Sequence, residues 1–232
     1  MPVILFLLGL AIGSFLNVLI YRLPRELPFV KGRSRCPHCE HVLAWYDLVP
    51  LISYVVLLGR CRYCKQYISI QYALIELASG LLFVFAPSLP WLVALEVFLV
   101  LAVIDLQHLL IPDGLLVFLI AVALVIRIAW HPANVLSALG AGGFFLILWL
   151  VSRGTWIGFG DVKLGVVLGL MFGFPGAALV IYGGVILGGL VSIILLLLRK
   201  ANRKTAVPLG TFLALAAMIY ILYEPAQRIF TH

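Results

Sequence analysis

Residues 177–198 read AALVIYGGVILGGLVSIILLLL, a run of 22 positions without a single charge. A helix advances about 1.5 Å per residue, so about 20 apolar residues cross the roughly 30 Å hydrocarbon core of a bilayer. The run is therefore read as a membrane helix. Gly183, Gly184, Gly188 and Gly189 form a small-residue stripe along it, the usual means of bringing two helices into close contact. Similar apolar runs lie at about 3–21, 72–86, 90–106, 113–129, 135–152, 162–175 and 208–223, which makes eight in all. Several are shorter than about 20 residues, so tilted, re-entrant or longer helices are expected among them. Residues 50–59 are too short to span and belong to a loop or an interface. The expected fold is an all-α polytopic membrane protein of about eight transmembrane helices.

Composition agrees. Of 232 residues, 64% are apolar and only 11% charged, against about 45–50% and 25% in soluble domains. The first apolar run has no Lys or Arg before Arg22, so it lacks the basic start of a secretory signal and is read as a retained anchor. The net charge of +7 raises nucleic acid as a partner, but its distribution gives a different account. Arg22, Arg25, Lys31, Arg33, Arg35, Arg60, Arg62 and Lys65 all follow the first apolar run. If that loop is cytoplasmic, alternation of the eight segments places Arg153, Lys163, Arg199, Lys200, Arg203 and Lys204 inside as well. Only Arg127 and Arg228 remain outside, as the positive-inside rule requires. Topology accounts for the charge, and no nucleic-acid partner is expected. Three parts follow: a first helix (1–22), a cytoplasmic loop module (23–71) and a multi-helix domain (72–232).

The four cysteines lie in that loop as Cys36-Pro37-His38-Cys39 and Cys61-Arg62-Tyr63-Cys64. Two C-x₂-C knuckles supply four thiolates, the donor set of tetrahedral structural zinc, with no position left for a reactive water. Disulfides or free thiols are the alternatives; a basic loop facing a reducing compartment argues for metal. His38 and His41 are read as bystanders.

Acids are scarce, nine in all, and an acid inside a membrane helix is costly enough to be a functional candidate. Glu76, Glu96, Asp105 and Asp161 qualify. Asp105 ends one apolar segment and Asp161, within Gly158-Phe159-Gly160-Asp161, begins another; the topology puts both at the cytoplasmic end of a helix. Two carboxyls at one depth suit an aspartic peptidase, in which a shared proton lets one act as base on water and the other as acid. Gly158 and Gly160 permit close approach of an extended substrate. Asp113, after Pro112, is read as a helix-start acid. For Glu76 and Glu96 a structural pairing, a proton relay and a substrate contact all stay open.

Taken in order, these fragments resemble the type IV prepilin peptidases. The resemblance rests on Gly13-Ser14-Phe15-Leu16-Asn17-Val18 with Tyr21-Arg22-Leu23-Pro24, on the two knuckles, and on Asp47-Leu48-Val49-Pro50-Leu51-Ile52-Ser53-Tyr54 between them. It rests further on Ile104-Asp105 through Leu110-Ile111-Pro112-Asp113, and on Gly158-Phe159-Gly160-Asp161-Val162-Lys163. It covers nearly the whole chain. The resemblance implies that Asp105 and Asp161 are the catalytic pair, with Asp113 outside it. Gly158, Gly160, Lys163 and Glu76 are candidate substrate contacts, and Cys36, Cys39, Cys61 and Cys64 are structural zinc ligands. It further implies cleavage of a basic leader from a prepilin or a type II secretion pseudopilin at the inner face of the bacterial cytoplasmic membrane. Many members then methylate the new N-terminus with S-adenosylmethionine, although no glycine-rich fingerprint for that donor is present. The chain departs from the family pattern in its short first loop and in Gln71 and Ala73. A presenilin-like intramembrane protease, a proton-coupled transporter and a non-enzymatic assembly factor are the competing classes. The knuckles argue against the first, and the lack of internal repeats against the second.

Overall fold

A computed structural model describes residues 1–29, 32–126, 132–199 and 207–230, with side chains of the last stretch through 223. Lys31, Arg127, Lys200, Arg203 and Lys204, all used in the charge count, lie outside the described residues, as does the side chain of Arg228. Helices are the dominant regular structure among the described residues; turns and loops join them, with two isolated antiparallel bridges, Arg35 with Val42 and Arg60 with Tyr67. The helices are α1 (Pro2–Arg22), α2 (Ile52–Val56), α3 (Gln71–Phe85), α4 (Leu89–His108), α5 (Asp113–Val125), α6 (Pro132–Ser152), α7 (Phe159–Leu197) and α8 (Leu209–Phe230).

As far as the described residues reach, all eight apolar runs fall on helices; the end of the run at 113–129 lies outside them. Against the eight crossings expected, four of the described helices are long and apolar enough to cross a membrane: α1, α4, α6 and α7. The other apolar helices, α3, α5 and the described part of α8, are shorter. The 39-residue α7 is broken where Gly173 (φ 60°, ψ −174°) and Phe174 (φ −95°, ψ 135°) leave helical geometry just before Pro175. Proline has no N–H for the preceding turn and fits only at a helix start, so two helical arms meet there, matching the two apolar runs read from the sequence.

The chain forms two compact units, Met1–Ala86 and Pro87–His232. In the first, α1 and α3 cross at small residues. A Cβ added at Gly9 would lie 2.7 Å from Gly80 Cα, and one at Gly13 would lie 2.6 Å from Glu76 Cα. Ser79 Oγ donates to Gly9 O at 2.7 Å, and Asn17 Nδ2 donates to Gly13 O at 3.2 Å and to Tyr72 O at 3.0 Å. These bonds give partners to the Ser79 hydroxyl and the Asn17 amide N–H groups, while Asn17 Oδ1 is buried without one.

In the second unit α4 is the central element, its residues from Ala94 to Ala102 buried almost without interruption. Around it α8 packs on α4 and α7, α6 on α7, and α5 on α4 and α7. The glycine stripe of α7 needs one correction. Gly184 abuts the Leu213 backbone and Gly188 the Phe212 ring, while Gly189 meets nothing within 4 Å. A helix repeats every 3.6 residues, so four glycines in adjacent pairs cannot all face one neighbour.

Candidate active site

Three helix ends converge in the second unit. Leu109 takes a left-handed conformation (φ 52°) and its N–H bonds back to Asp105 O at 2.9 Å. That closes α4 one turn after Asp105 and leaves the acid in the final turn. Gly158 begins α7. Its N–H donates to Asp161 Oδ2 at 3.0 Å, and Asp161 N–H returns the bond to Gly158 O at 3.1 Å. This reciprocal cap fixes the Asp161 side chain in the first turn, where a negative charge is also favoured by the helix dipole. The third end is the start of α8. Thr211 N–H donates to Asp105 Oδ2 at 2.6 Å, and Thr211 Oγ1 stands 3.1 Å from the same oxygen and 2.9 Å from Ala102 O.

Both acids are buried, Asp105 at 5% and Asp161 at 8% exposure, and Asp161 lies within electrostatic reach of Asp105. The sequence reading singled out these two acids, and the fold brings them together. Ile111, in the link from α4 to α5, lies against both neighbouring helix starts. A Cβ at Gly160 would meet Ile111 Cβ at 3.1 Å, and one at Gly210 would meet Ile111 Cδ1 at 2.8 Å and Asp105 Oδ2 at 3.0 Å. The bare backbones of these two glycines make room for one isoleucine and for the acid.

The other candidates are placed as follows. Gly158, which is exposed, caps Asp161, and Gly160, half-buried, lies against Ile111. Lys163 forms a bidentate ion pair with Asp113, its Nζ at 2.7 and 2.9 Å from the two carboxylate oxygens; the pair is exposed. Asp113 is the first residue of α5, as a helix-start acid should be. Glu76 belongs to the first unit, where its buried carboxylate accepts the Leu51 N–H at 2.8 Å. Leu51 has φ 56°, a conformation disfavoured for a branched residue, and this bond helps to hold it. The sequence reading missed Gly210, Thr211 and Ile111. Pro208-Leu209-Gly210-Thr211 before an apolar run reads as a helix start, but nothing in it points to an acid more than a hundred residues upstream.

The first unit carries a separate cluster. Each knuckle is a tight turn: Cys36 N–H bonds to His41 O and Cys61 N–H to Gln66 O, with Glu40 and Lys65 at positive φ in matching places. The four Sγ atoms of Cys36, Cys39, Cys61 and Cys64 lie within 4.8 Å of one another, and Cys36 Sγ is 3.8 Å from Cys64 Sγ. Tetrahedral zinc with Zn–S bonds of about 2.3 Å places its sulfurs about 3.8 Å apart, so the donor set fits that ion. Burial pushes the Cys36 thiol up, but the backbone N–H groups of Cys39 and His38 outweigh it and hold the group down to about 7. For Cys64 the Gln66 backbone bond lowers the value, yet burial and the three neighbouring sulfurs push it up to about 11. One thiolate is easily formed and the next resisted, as expected of four sulfurs gathered to share a cation.

Asp47 ties the segment between the knuckles to the second knuckle. It accepts Arg62 Nε at 2.7 Å, the Tyr63 hydroxyl at 3.1 Å and the Ala44 N–H at 3.2 Å. Desolvation alone would raise its pKa, but these donors, Arg62 foremost, hold it below the usual carboxylate range. The His41 and Tyr63 rings, one from each knuckle, lie 3.7 Å apart.

The described chain thus combines helices long and apolar enough to cross a membrane, two buried acids at helix ends and a four-cysteine loop. Residues 7–88 match the Bacterial Peptidase A24 N-terminal domain and residues 91–193 the Type IV leader peptidase family; the division falls where the two compact units part. The chain belongs to the type IV leader peptidase family. It is similar to proteins named prepilin leader peptidase/N-methyltransferase. The one from Stutzerimonas stutzeri is 34% identical over 93% of this chain and 88% of its own length. Those from Aeromonas hydrophila (34%; 95% and 90%) and Klebsiella pneumoniae (40%; 73% and 84%) are comparable. No solved structure matches the chain.

Proposed function

We propose that this protein is a membrane aspartic endopeptidase that removes the leader of type IV prepilins or type II secretion pseudopilins, with Asp105 and Asp161 as the catalytic pair. The observation that carries the assignment is the convergence of these two buried carboxyls, each steadied through Oδ2 by a backbone N–H, from Thr211 and from Gly158. Oδ1 of each is then the oxygen available to the chemistry. Two close carboxyls share one proton at working pH. The ionised member takes a proton from water as its oxygen attacks the scissile carbonyl, and the protonated member delivers its proton to the carbonyl oxygen. Collapse of the tetrahedral intermediate passes a proton to the leaving amide nitrogen and breaks the C–N bond. No covalent enzyme intermediate forms.

The full topology has eight crossings, with the two arms of α7 counted separately and both ends of the described chain outside. The charge bias then places loop 23–71 and both aspartates on the cytoplasmic side of the inner membrane. The four cysteines hold structural zinc in that loop, and residues 72–232 form the helical domain. A prepilin lies with its apolar helix in the bilayer and its basic leader in the cytoplasm; Gly158, Gly160, Lys163 and Glu76 are the substrate contacts to test. The relatives' names include N-methyltransferase; on that basis N-methylation of the new N-terminus, with S-adenosylmethionine as co-substrate, is proposed for this chain.

The test is cleavage of a model prepilin in membranes by wild type, Asp105→Asn and Asp161→Asn. Both variants should insert normally and leave the substrate whole. Cleavage by both at the wild-type rate would remove the pair from the mechanism.

A further inference from the structure

Thr211 is buried, at 5% exposure, in the first turn of α8. Its two donors serve Asp105 differently. The backbone N–H, 2.6 Å from Asp105 Oδ2, cannot turn away and carries no acceptor capacity. The hydroxyl has two acceptors within reach, Ala102 O at 2.9 Å and Asp105 Oδ2 at 3.1 Å, and a single proton to give. Ala102 and Asp105 lie one turn apart on α4, so a small rotation about the Thr211 side-chain bond moves the proton between them. Asp161, by contrast, has one fixed donor, the Gly158 N–H at 3.0 Å. Both acids lie in an environment nearly without water, where a carboxylate's charge is stabilised chiefly by the donors aimed at it.

We propose that Thr211 is a positioning residue that makes Asp105 the base of the pair, its N–H fixing the carboxylate and its hydroxyl donating to Oδ2 while Asp105 is charged. The inference rests on the reading of Asp105 and Asp161 as the catalytic pair. Turnover begins with Asp105 ionised and Asp161 carrying the shared proton. As water attacks the carbonyl, its proton passes to Asp105 Oδ1; the charge at Oδ2 falls, and the Thr211 hydroxyl returns to Ala102 O. When Asp105 gives the proton to the leaving nitrogen, the hydroxyl turns back. The bond thus strengthens in the states in which Asp105 is ionised, and Oδ2 never competes for the reacting water because the N–H holds it throughout.

The test is steady-state cleavage of a model prepilin by the full-length protein, comparing wild type with Thr211→Val, Thr211→Ser and Asp105→Asn. Valine keeps the shape and the backbone N–H and removes only the hydroxyl. The expected result is a kcat about ten-fold or more lower for Thr211→Val, the usual effect of losing a bond to a charged group. KM should stay within about two-fold, since uniform substrate binding is untouched. Serine restores the hydroxyl and should recover most of the rate. Should valine fail to accumulate in membranes, Thr211→Ala is read in its place against Thr211→Ser. A full kcat without the hydroxyl, or a serine variant as slow as valine, overturns the proposal while an inert Asp105→Asn leaves the catalytic pair standing. An active Asp105→Asn overturns the pair itself.

Discussion

The four-cysteine loop and the aspartate pair are both sites of converging side chains, yet they are built on opposite plans. The loop is local: two knuckles, each a hydrogen-bonded turn, stand 21 residues apart and carry their own cross-links through Asp47, Arg62 and Tyr63. The pair is assembled from the ends of α4, α7 and α8, with bonds that bridge 106 residues of chain. A local site depends on a few contacts and an ion. A distributed site depends on the whole helical unit that positions its parts, and so it can be buried, rigid and dry.

The sharpest way to break that contrast is to remove a carboxyl. Asp105→Asn and Asp161→Asn should each lower cleavage by roughly 10²–10⁴-fold, the range for loss of a general acid or base. Each should keep the zinc proposed for the four cysteines, by metal analysis; zinc lost from either alone would mean the two sites are not separate. Next in size is Cys36→Ser. It should strip the metal and expose loop 32–70 to protease, because folding of such modules is tied to metal binding. The helices of Pro87–His232 should stay protease-resistant, and their loss would contradict the division into units.

A smaller effect tests packing between α1 and α3. Gly13→Leu drives a side chain into the Glu76 backbone, 2.6 Å from the new Cβ. Thermal stability in detergent should fall by about 1–3 kcal/mol. An unchanged midpoint would show that this crossing is loose.

The smallest effect is Asp47→Asn. Its wild-type carboxyl is held below the usual range, so its contribution is present above the unfolded value of about 3.9 and lost as pH falls through the folded one. Nicking of the loop at pH 7 should be about two-fold faster in the variant, and the difference should close below about pH 4. A difference that persists in acid would assign the effect to shape and not to charge.

The sequence shows the helices well because a membrane helix must be apolar on every side, and a run such as 177–198 has no other reading. Asp105 and Asp161 stand out for the same reason: an acid in such a run is costly and needs an explanation. The knuckles are legible because ligand spacing is itself the chemistry. Residues whose role comes from a neighbour far along the chain stay hidden. Thr211 is an ordinary first-turn threonine until Asp105 is placed beside it, and Ile111 an ordinary linker residue until Gly160 and Gly210 flank it. Gly189 fails in the opposite direction, since composition marks it with its three companions and only helical phase separates it from them.

The bond from Thr211 to Asp105 also has a consequence for biosynthesis. Asp105 and Asp161 leave the ribosome well before Leu209, so a growing chain carries both acids through a period when nothing from α8 supports the first. Chains arrested before Leu209 should insert, hold zinc and remain inert towards prepilin in the cleavage assay. Under the proposed mechanism, Asp105 gains its Thr211 donors only once α8 has been made.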